Sequence, residues 1–393
     1  MEIKWNKHVV VLYDENKDEQ VATALKAHIE REYDPCDVIL VKSSSYTVSS
    51  IYKYKRLVNK FKARHLRKAL SHSSKQAYKR DVKRIQELLR TNGYSDVESK
   101  RKIISVYRIV NIIRRFEPLV ILCTTPEALK LTLIGRTVLG QDFRAVGVIT
   151  EFFLDPAFVR AGADGYLVEN PDVKKHLMNS GVPEEKILVV GYPTLLQDVK
   201  KDVEIKRAAL GLTSDLPLVV VNGGEYDTYT LKKDIIKLMG KKNDYYLMII
   251  TKDKKLRKFY MNLPEFSAGV LINEDLTSDI LDVTDILVTV PSTGVIFQAF
   301  VRGIAVIVSE GVLELEKNVR DYLVKRALVI PTRTPDETLF GVYEILDEPL
   351  RKNEFKYRGE VYVRLSVKDI KNITPRLSEN GVLKISNKTI EGV

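Results

Sequence analysis

The sequence predicts an α/β protein of two doubly wound, parallel-sheet domains. Short apolar runs alternate with amphipathic helical stretches along most of the chain. The alternation comes as two successive sets, separated by a charged stretch near residue 200. A chain of 393 residues is long enough for two domains that each bury a full core.

Composition narrows the class. No segment approaches the roughly 18–20 apolar residues that span a bilayer. The start, MEIKWNKHVVVLYDEN, lacks an apolar core followed by a small-residue cleavage site, so a cytoplasmic protein is expected. Cys36 and Cys123 are isolated and read as reduced thiols. His8, His28, His65, His72 and His176 form no pair at ligand spacing, so a His/Cys metal site is not expected. Charge is uneven: residues 46–115 hold 20 Lys and Arg against four acids, a net of +16, whereas the whole chain carries +11.

In the first set, Val9–Tyr13 is a buried parallel strand. The helix after it carries Val21, Ala22, Leu25 and Ile29 on one face, and Asp14–Glu19 forms an acidic turn between the two. Asp18 in that turn is either an ordinary acid at a helix start or a general base. Cys36–Val41 is the second strand. A basic helical arm over 46–115 follows. Its first helix shows Tyr54, Leu57, Val58 and Phe61 on one face, its second Tyr78, Val82, Ile85 and Leu89, and its third Ile103, Val106, Val110 and Ile113. Basic amphipathic helices of this kind suit an anionic membrane surface; solvated helices packed on the domain are the alternative, and nucleic acid is a weaker one. Leu119–Thr124 is a strand whose carboxyl end faces the binding crevice.

Residues 147–194 are the most informative run. They read as strand (Gly147–Thr150), loop, strand (Gly165–Val168), helix (Pro171–Asn179), turn, strand (Ile187–Val190), then Gly191-Tyr192-Pro193. Asn170 precedes a proline at the first helical turn, and Gly181 and Pro183 end the helix. Glu151 and Asp155 stand at the strand's carboxyl end, where either serves as a general base or as a cap.

The wording of that run carries a resemblance. Thr150-Glu151-Phe152, then Gly162-Ala163-Asp164-x-Tyr166-x-Val168, a helix, Gly181-Val182-Pro183-x-x-Lys186-Ile187 and Gly191-x-Pro193 resemble the monogalactosyl- and diglucosyl-diacylglycerol synthases. These are GT-B glycosyltransferases related to the peptidoglycan N-acetylglucosaminyltransferase. The resemblance implies two Rossmann-like domains facing a cleft, with residues 1–195 on the acceptor side and 196–347 on the nucleotide-sugar side. Residues 348–393 read as a polar tail with short β runs at Val361–Val367 and Val382–Ile385. The resemblance also implies a UDP-sugar donor, a lipid or lipid-linked acceptor, an inverting displacement that needs no bound cofactor, and a place at the inner membrane face. The basic arm over 46–115 is expected to meet anionic lipid there.

The second set begins with Leu218–Val221 and Asn222-Gly223-Gly224, a glycine pair suited to a diphosphate before a helix near Thr228. Tyr246–Thr251 and Gly269–Ile272 continue the sheet. A short helix over Asp275–Asp285 leads to the strand Ile286–Thr289. Pro291-Ser292-Thr293-Gly294 occupies the place of the family's Pro-Gly-Gly-x-Thr-x-x-Glu. In that register Ser292 and Thr293 replace the glycines, Val295 the Thr and Gln298 the sugar-contacting Glu. The family's Gly-His turn is likewise gone, with Asp18 in the place of the His. Glu314 and Asn318 fall on the loop that faces the donor sugar in the family. Ala327–Pro331 is a last strand and Pro335–Asp347 a helix. The retained block favours a transferase. The altered motifs favour a catalytically silent homologue binding a nucleotide sugar, a membrane or a protein, and a third reading is an epimerase-like enzyme acting on nucleotide sugars.

Overall fold

The computed structural model describes residues 7–14, 18–32, 36–47, 72–193, 200, 202–224, 228–241, 244–311, 313–367, 376–377 and 383–384. The chain divides into two compact units. One holds residues 1–150, 154–194 and 369–393; the other holds 151–153 and 195–368.

The first unit is built on six parallel strands: β1 (Lys7–Tyr13), β2 (Cys36–Lys42), β3 (Val120–Cys123), β4 (Arg144–Ile149), β5 (Gly165–Val168) and β6 (Ile187–Val189). Their order is β2-β1-β3-β4-β5-β6. Parallel neighbours require crossover helices, which cover both faces and make the strands continuously apolar. The Glu19–Glu32 helix buries Val21, Ala22, Leu25 and Ile29, the face its periodicity predicts. Asn170 accepts a bond from Val173 N at 2.9 Å and fixes the start of the Pro171–Asn179 helix.

The basic arm is reinterpreted by its packing. Its first helical stretch, Tyr54–Phe61, lies outside the described residues. The second and third form the helices His72–Thr91 and Asp96–Phe116. Ile85, Leu89, Val106, Ile109, Val110 and Ile113 are fully buried in the first unit's core. Burying each such side chain contributes about 1.5–3 kcal/mol, so these faces are committed to the fold. Gly135, on the Pro126–Leu139 helix, lets Ile113 approach to 3.3 Å from where a Cβ would stand. Among the described side chains of 80–116, the apolar face is therefore committed to the core, and the exposed residues are charged, polar or glycine.

The second unit repeats the architecture with β7 (Leu218–Asn222), β8 (Tyr246–Ile250), β9 (Val270–Asn273), β10 (Ile286–Thr289), β11 (Ala305–Val308) and β12 (Ile330–Pro331). All pairs are parallel, in the order β12-β11-β10-β7-β8-β9.

Three expectations fail here for identifiable reasons. The helix after β7 is Lys232–Met239 and does not begin near Thr228; Thr228 is instead buried, bonded to the Tyr260 hydroxyl at 3.0 Å. The strand expected over 327–331 shrinks to Ile330–Pro331, because Ala327 is left-handed at φ 51° and Leu328 N closes the preceding helix on Leu323 O. Val361–Val367 is not a β run but the end of the Pro349–Val367 helix. Its Tyr and Val content favours strand, but packing overrides that preference. Phe355 and Val363 are buried at helical spacing, and a Cβ on Gly359 would come within 2.9 Å of the Phe300 ring.

A buried polar knot holds the Thr293–Val301 helix in place. Arg302 Nε bonds Asp282 at 2.7 Å and its Nη2 bonds Ser278 at 2.6 Å, while Lys206 Nζ reaches the other Asp282 oxygen at 2.6 Å. Burial alone would raise the Asp282 carboxyl, but the bonds from Lys206 and Arg302 outweigh it and hold it below the usual range. A depressed carboxyl contributes its full stabilisation above its unfolded value, about pH 4, and loses it as pH falls through the folded value. Asp282→Asn leaves the buried Arg302 without a carboxylate, while Lys206 keeps Asp279 at 3.1 Å, and is expected to lower stability at pH 7 by about 3 kcal/mol. Urea denaturation at pH 7 and again below pH 4 checks this: the gap from wild type narrows in acid, and equal midpoints at pH 7 would refute the role.

Candidate functional site

In open parallel sheets, ligands meet the carboxyl ends of strands where the strand order reverses. In the first unit that point lies between β1 and β3, because β1 pairs with both β2 and β3. The sequence places Asp18 beyond β1 and Thr124 beyond β3, and the fold joins them. Asp18 is 9% exposed, and its carboxylate accepts the Thr124 hydroxyl at 2.6 Å. The same residue starts the Glu19–Glu32 helix, with Ala22 N bonded to its carbonyl at 2.8 Å. Asp18 is thus an oriented, buried carboxylate as well as a helix-start acid.

Asp155 occupies a simpler position. It is exposed and caps the Pro156–Ala161 helix, accepting from Ala157 N at 2.8 Å. Glu169 is a fully buried acid directly after β5, with Asn170 Nδ2 3.2 Å from its carboxylate. An acid closing a wholly apolar strand was the signal that could have singled it out.

In the second unit the reversal lies between β7 and β10. Gly223 and Gly224 follow β7, and Ser292, Thr293 and Gly294 follow β10. Gly224 is left-handed at φ 62°, and a Cβ there would lie 2.9 Å from Val290 Cγ2. Only glycine meets both conditions, so the two loops touch because residue 224 has no side chain. Ser292 stands at the N-cap of the Thr293–Val301 helix without a side-chain cap bond. The helix's first N–H groups have no intrahelical acceptor, and the end carries partial positive charge. That combination accommodates an anion.

Two hydroxyls missed in the sequence adjoin this loop along the strand ends. Thr289 Oγ1, on a residue 0% exposed, and Ser309 Oγ are buried without a hydrogen-bond partner. They close β10 and follow β11. Buried polar atoms normally find a partner, so this edge retains bonding capacity for water or ligand. Nothing in a Thr or Ser after an apolar strand distinguishes that state in advance.

Glu151 belongs to this second unit together with Phe152 and Phe153. Phe152 stacks at 6.0 Å from Phe297 and 5.2 Å from Tyr322, and Glu151 accepts the Thr293 hydroxyl at 2.7 Å. The carboxylate is therefore fixed at the start of the Thr293–Val301 helix. Gln298 is buried one turn further on, with Oε1 accepting from Arg302 Nη1 at 2.7 Å. Its carbonyl is turned to the guanidinium, leaving only the amide N–H₂ for a ribose hydroxyl. Glu314 and Asn318 are exposed on the Glu314–Lys325 helix, and it is Glu316 that caps it, accepting from Leu313 N at 3.0 Å. Among the described residues no cluster of three or more His, Cys, Asp or Glu could hold a metal ion, and no helix is long and apolar enough to cross a membrane.

Residues 18–194 match the family model of monogalactosyldiacylglycerol (MGDG) synthase. Curated relatives include the processive diacylglycerol beta-glucosyltransferases of Bacillus licheniformis, 21% identical over 67% of this chain and 71% of that protein, and of Staphylococcus carnosus, 23% identical over 70% and 71%. Among solved structures, the UDP-GlcNAc 2-epimerase of Neisseria meningitidis bound to UDP-GlcNAc aligns with TM-score 0.60 and 11% identity over 92% of this chain and all of that one. A UDP-glucosyltransferase from Polygonum tinctorium aligns with TM-score 0.59 and 11% identity over 94% and 98%. Residues 18–194 are accordingly similar to the monogalactosyldiacylglycerol synthase family, in a chain of GT-B fold.

Proposed function

We propose that this protein transfers a hexose from a UDP-sugar to a diacylglycerol-type lipid by inverting displacement at the inner face of a membrane. The observation that carries the donor half is the loop pair at the β7–β10 reversal, where Gly224 permits close approach and the Thr293–Val301 helix presents uncommitted amides. The diphosphate lies at that helix start, with Ser292, Thr293, Gly294, Gly223 and Gly224 around it. Glu151 orients Thr293. The Gln298 amide, Glu314 and Asn318 are left to contact the sugar nucleotide. The leaving diphosphate needs charge stabilisation as its bond to the anomeric carbon breaks, and preorganised amides supply it without reorganising.

On the acceptor side, Asp18 takes the hydroxyl proton. It stands in register with the family's His, and Thr124 fixes the orientation of its carboxylate. Asp155 acts through the helix that it caps. The relatives' printed activity on diacylglycerol supports a lipid acceptor. The basic composition of 46–115 supports attraction to anionic lipid, each Lys or Arg near such a surface adding about 1 kcal/mol.

A second reading, a protein that binds the nucleotide sugar without transferring it, is favoured by one observation: Arg302 engages the Gln298 carbonyl where the family places a sugar-contacting acid.

Calorimetry with UDP is expected to show saturable binding that Gly224→Ala weakens at least about tenfold, since the added methyl meets Val290. Absence of binding at millimolar UDP would remove the donor assignment. In a UDP-release assay with UDP-glucose and diacylglycerol vesicles, Asp18→Asn is expected to lower kcat by about 10²–10⁴ with UDP affinity unchanged. Wild-type binding without turnover would establish the silent reading instead. Flotation with vesicles containing phosphatidylglycerol should recover the protein at low salt and release it as ionic strength rises; retention insensitive to salt would count against an electrostatic role for 46–115.

A further inference from the structure

The second unit holds a cleft of about 320 Å³ at the opposite edge of its sheet from Ser292. Asp285 leads into β10 and Gly303 approaches the start of β11, so both mark the amino ends of these strands. Ser292 follows the carboxyl end of β10, a four-residue strand that spans roughly 13 Å at about 3.3 Å per residue. The two edges are distinct places.

Lys200, Lys352 and Lys356 line the cleft together with Asp285, Gly303 and Asn353. Lys352 Nζ pairs with Asp285 Oδ1 at 2.7 Å, and the other Asp285 oxygen accepts Leu218 N at 3.0 Å. Asp285 is therefore occupied by one lysine and one amide. Glu360 adds a second carboxylate at the rim, its Oε1 2.7 Å from where a Gly303 Cβ would stand. Three ammonium groups thus face two carboxylates.

The excess is felt at Lys200. Partial desolvation, and then the neighbouring Lys356 charge, hold its ammonium below the ordinary lysine value in spite of Asp285 and Glu360. Lys200 has a left-handed backbone at φ 58° and its N–H bonds the Asp282 carboxylate, which fixes where its side chain emerges. The first turn of the Pro349–Val367 helix forms part of the cleft wall through Pro349, Lys352 and Asn353. Gly303 keeps the floor open, since at φ 59° any Cβ would also strike the Lys356 stem at 2.8 Å.

We propose that this cleft binds a phosphate group, held by Lys200, Lys352 and Lys356. It is independent of the UDP site and stands whether or not that assignment holds. The phosphate comes either from a small soluble phosphomonoester or from a phospholipid headgroup, which share the anionic phosphate oxygens that the lysines would hold.

Titration of the full chain with inorganic phosphate at low ionic strength, followed by calorimetry and by protection of Lys200 from acetylation, tests the site. Wild type should saturate. Lys356→Gln and Lys200→Gln should each weaken binding about tenfold, the loss of one charge-assisted bond, with UDP affinity and thermal midpoint unchanged. A parallel flotation with phosphatidylglycerol vesicles separates the sources. Weaker flotation of Lys356→Gln assigns the phosphate to a lipid headgroup; unchanged flotation with lost phosphate binding assigns it to a soluble ligand. No saturable phosphate binding, or equal isotherms for wild type and both variants, overturns the proposal. So does a phosphate isotherm abolished by Gly224→Ala but indifferent to Lys356→Gln.

Discussion

A guanidinium that is 7% exposed must have its donors met inside the protein, and meeting those of Arg302 decides much of the second unit. Asp282, Ser278 and the Gln298 side chain all turn toward it, and Gln298 adds its own carbonyl oxygen at 3.2 Å. Arg302 lies directly after the helix whose start presents Ser292 and Thr293. Its bonds tie the far end of that helix to the Ser278–Val283 helix, so the anion-facing end is held at a set height above β10. The same demand explains why Gln298 does not lie free toward a sugar. A neutral amide meets one guanidinium N–H without a second negative charge beside Asp282, so the residue that departs from the family motif serves the helix's anchoring.

Much of this was legible from the chain because burial follows period. Continuous apolar runs gave all six first-unit strands and most second-unit strands, since a parallel strand covered on both faces has no polar side to alternate with. The Pro171–Asn179 and Pro335–Asp347 helices were readable to the residue because Asn170 and Thr334 cap them and a proline follows each cap. Illegible features depended on distant partners. Val361–Val367 becomes helical only because Gly359 allows contact with Phe300. The amphipathic helices of the basic arm carry the same pattern whether their apolar side meets lipid or core. Only Ile85, Leu89, Val110 and Ile113 in place, fully buried, decide for the core.

The candidate sites divide in the same way. Position at a strand's carboxyl end could be inferred from order alone, which is why Asp18, Gly224 and Ser292 fall at the sheet reversals. What each side chain does there could not. Asp18 and Asp155 are both acids before a helix, yet one is buried against Thr124 from a strand more than a hundred residues away, with a separation of 106, while the other bonds an amide two residues on. Local capping needs only neighbours. Orientation of a buried carboxylate needs the sheet.

The two edges of the second sheet have opposite logics of anion attraction. At the carboxyl edge the attraction comes from backbone: a glycine with no side chain, the start of a helix, and hydroxyls at Thr289 and Ser309 with capacity to spare. These donors carry no formal charge and are directional, suited to a group whose geometry changes during a reaction. At the amino edge the attraction comes from side-chain charge in excess, Lys200, Lys352 and Lys356 against Asp285 and Glu360. Formal charge of this sort holds a ligand without steering its bonds and weakens steeply with salt. Under the proposed transfer a diphosphate leaves at every turnover, which is reason to keep the second kind of attraction away from the first, and the length of β10 separates them.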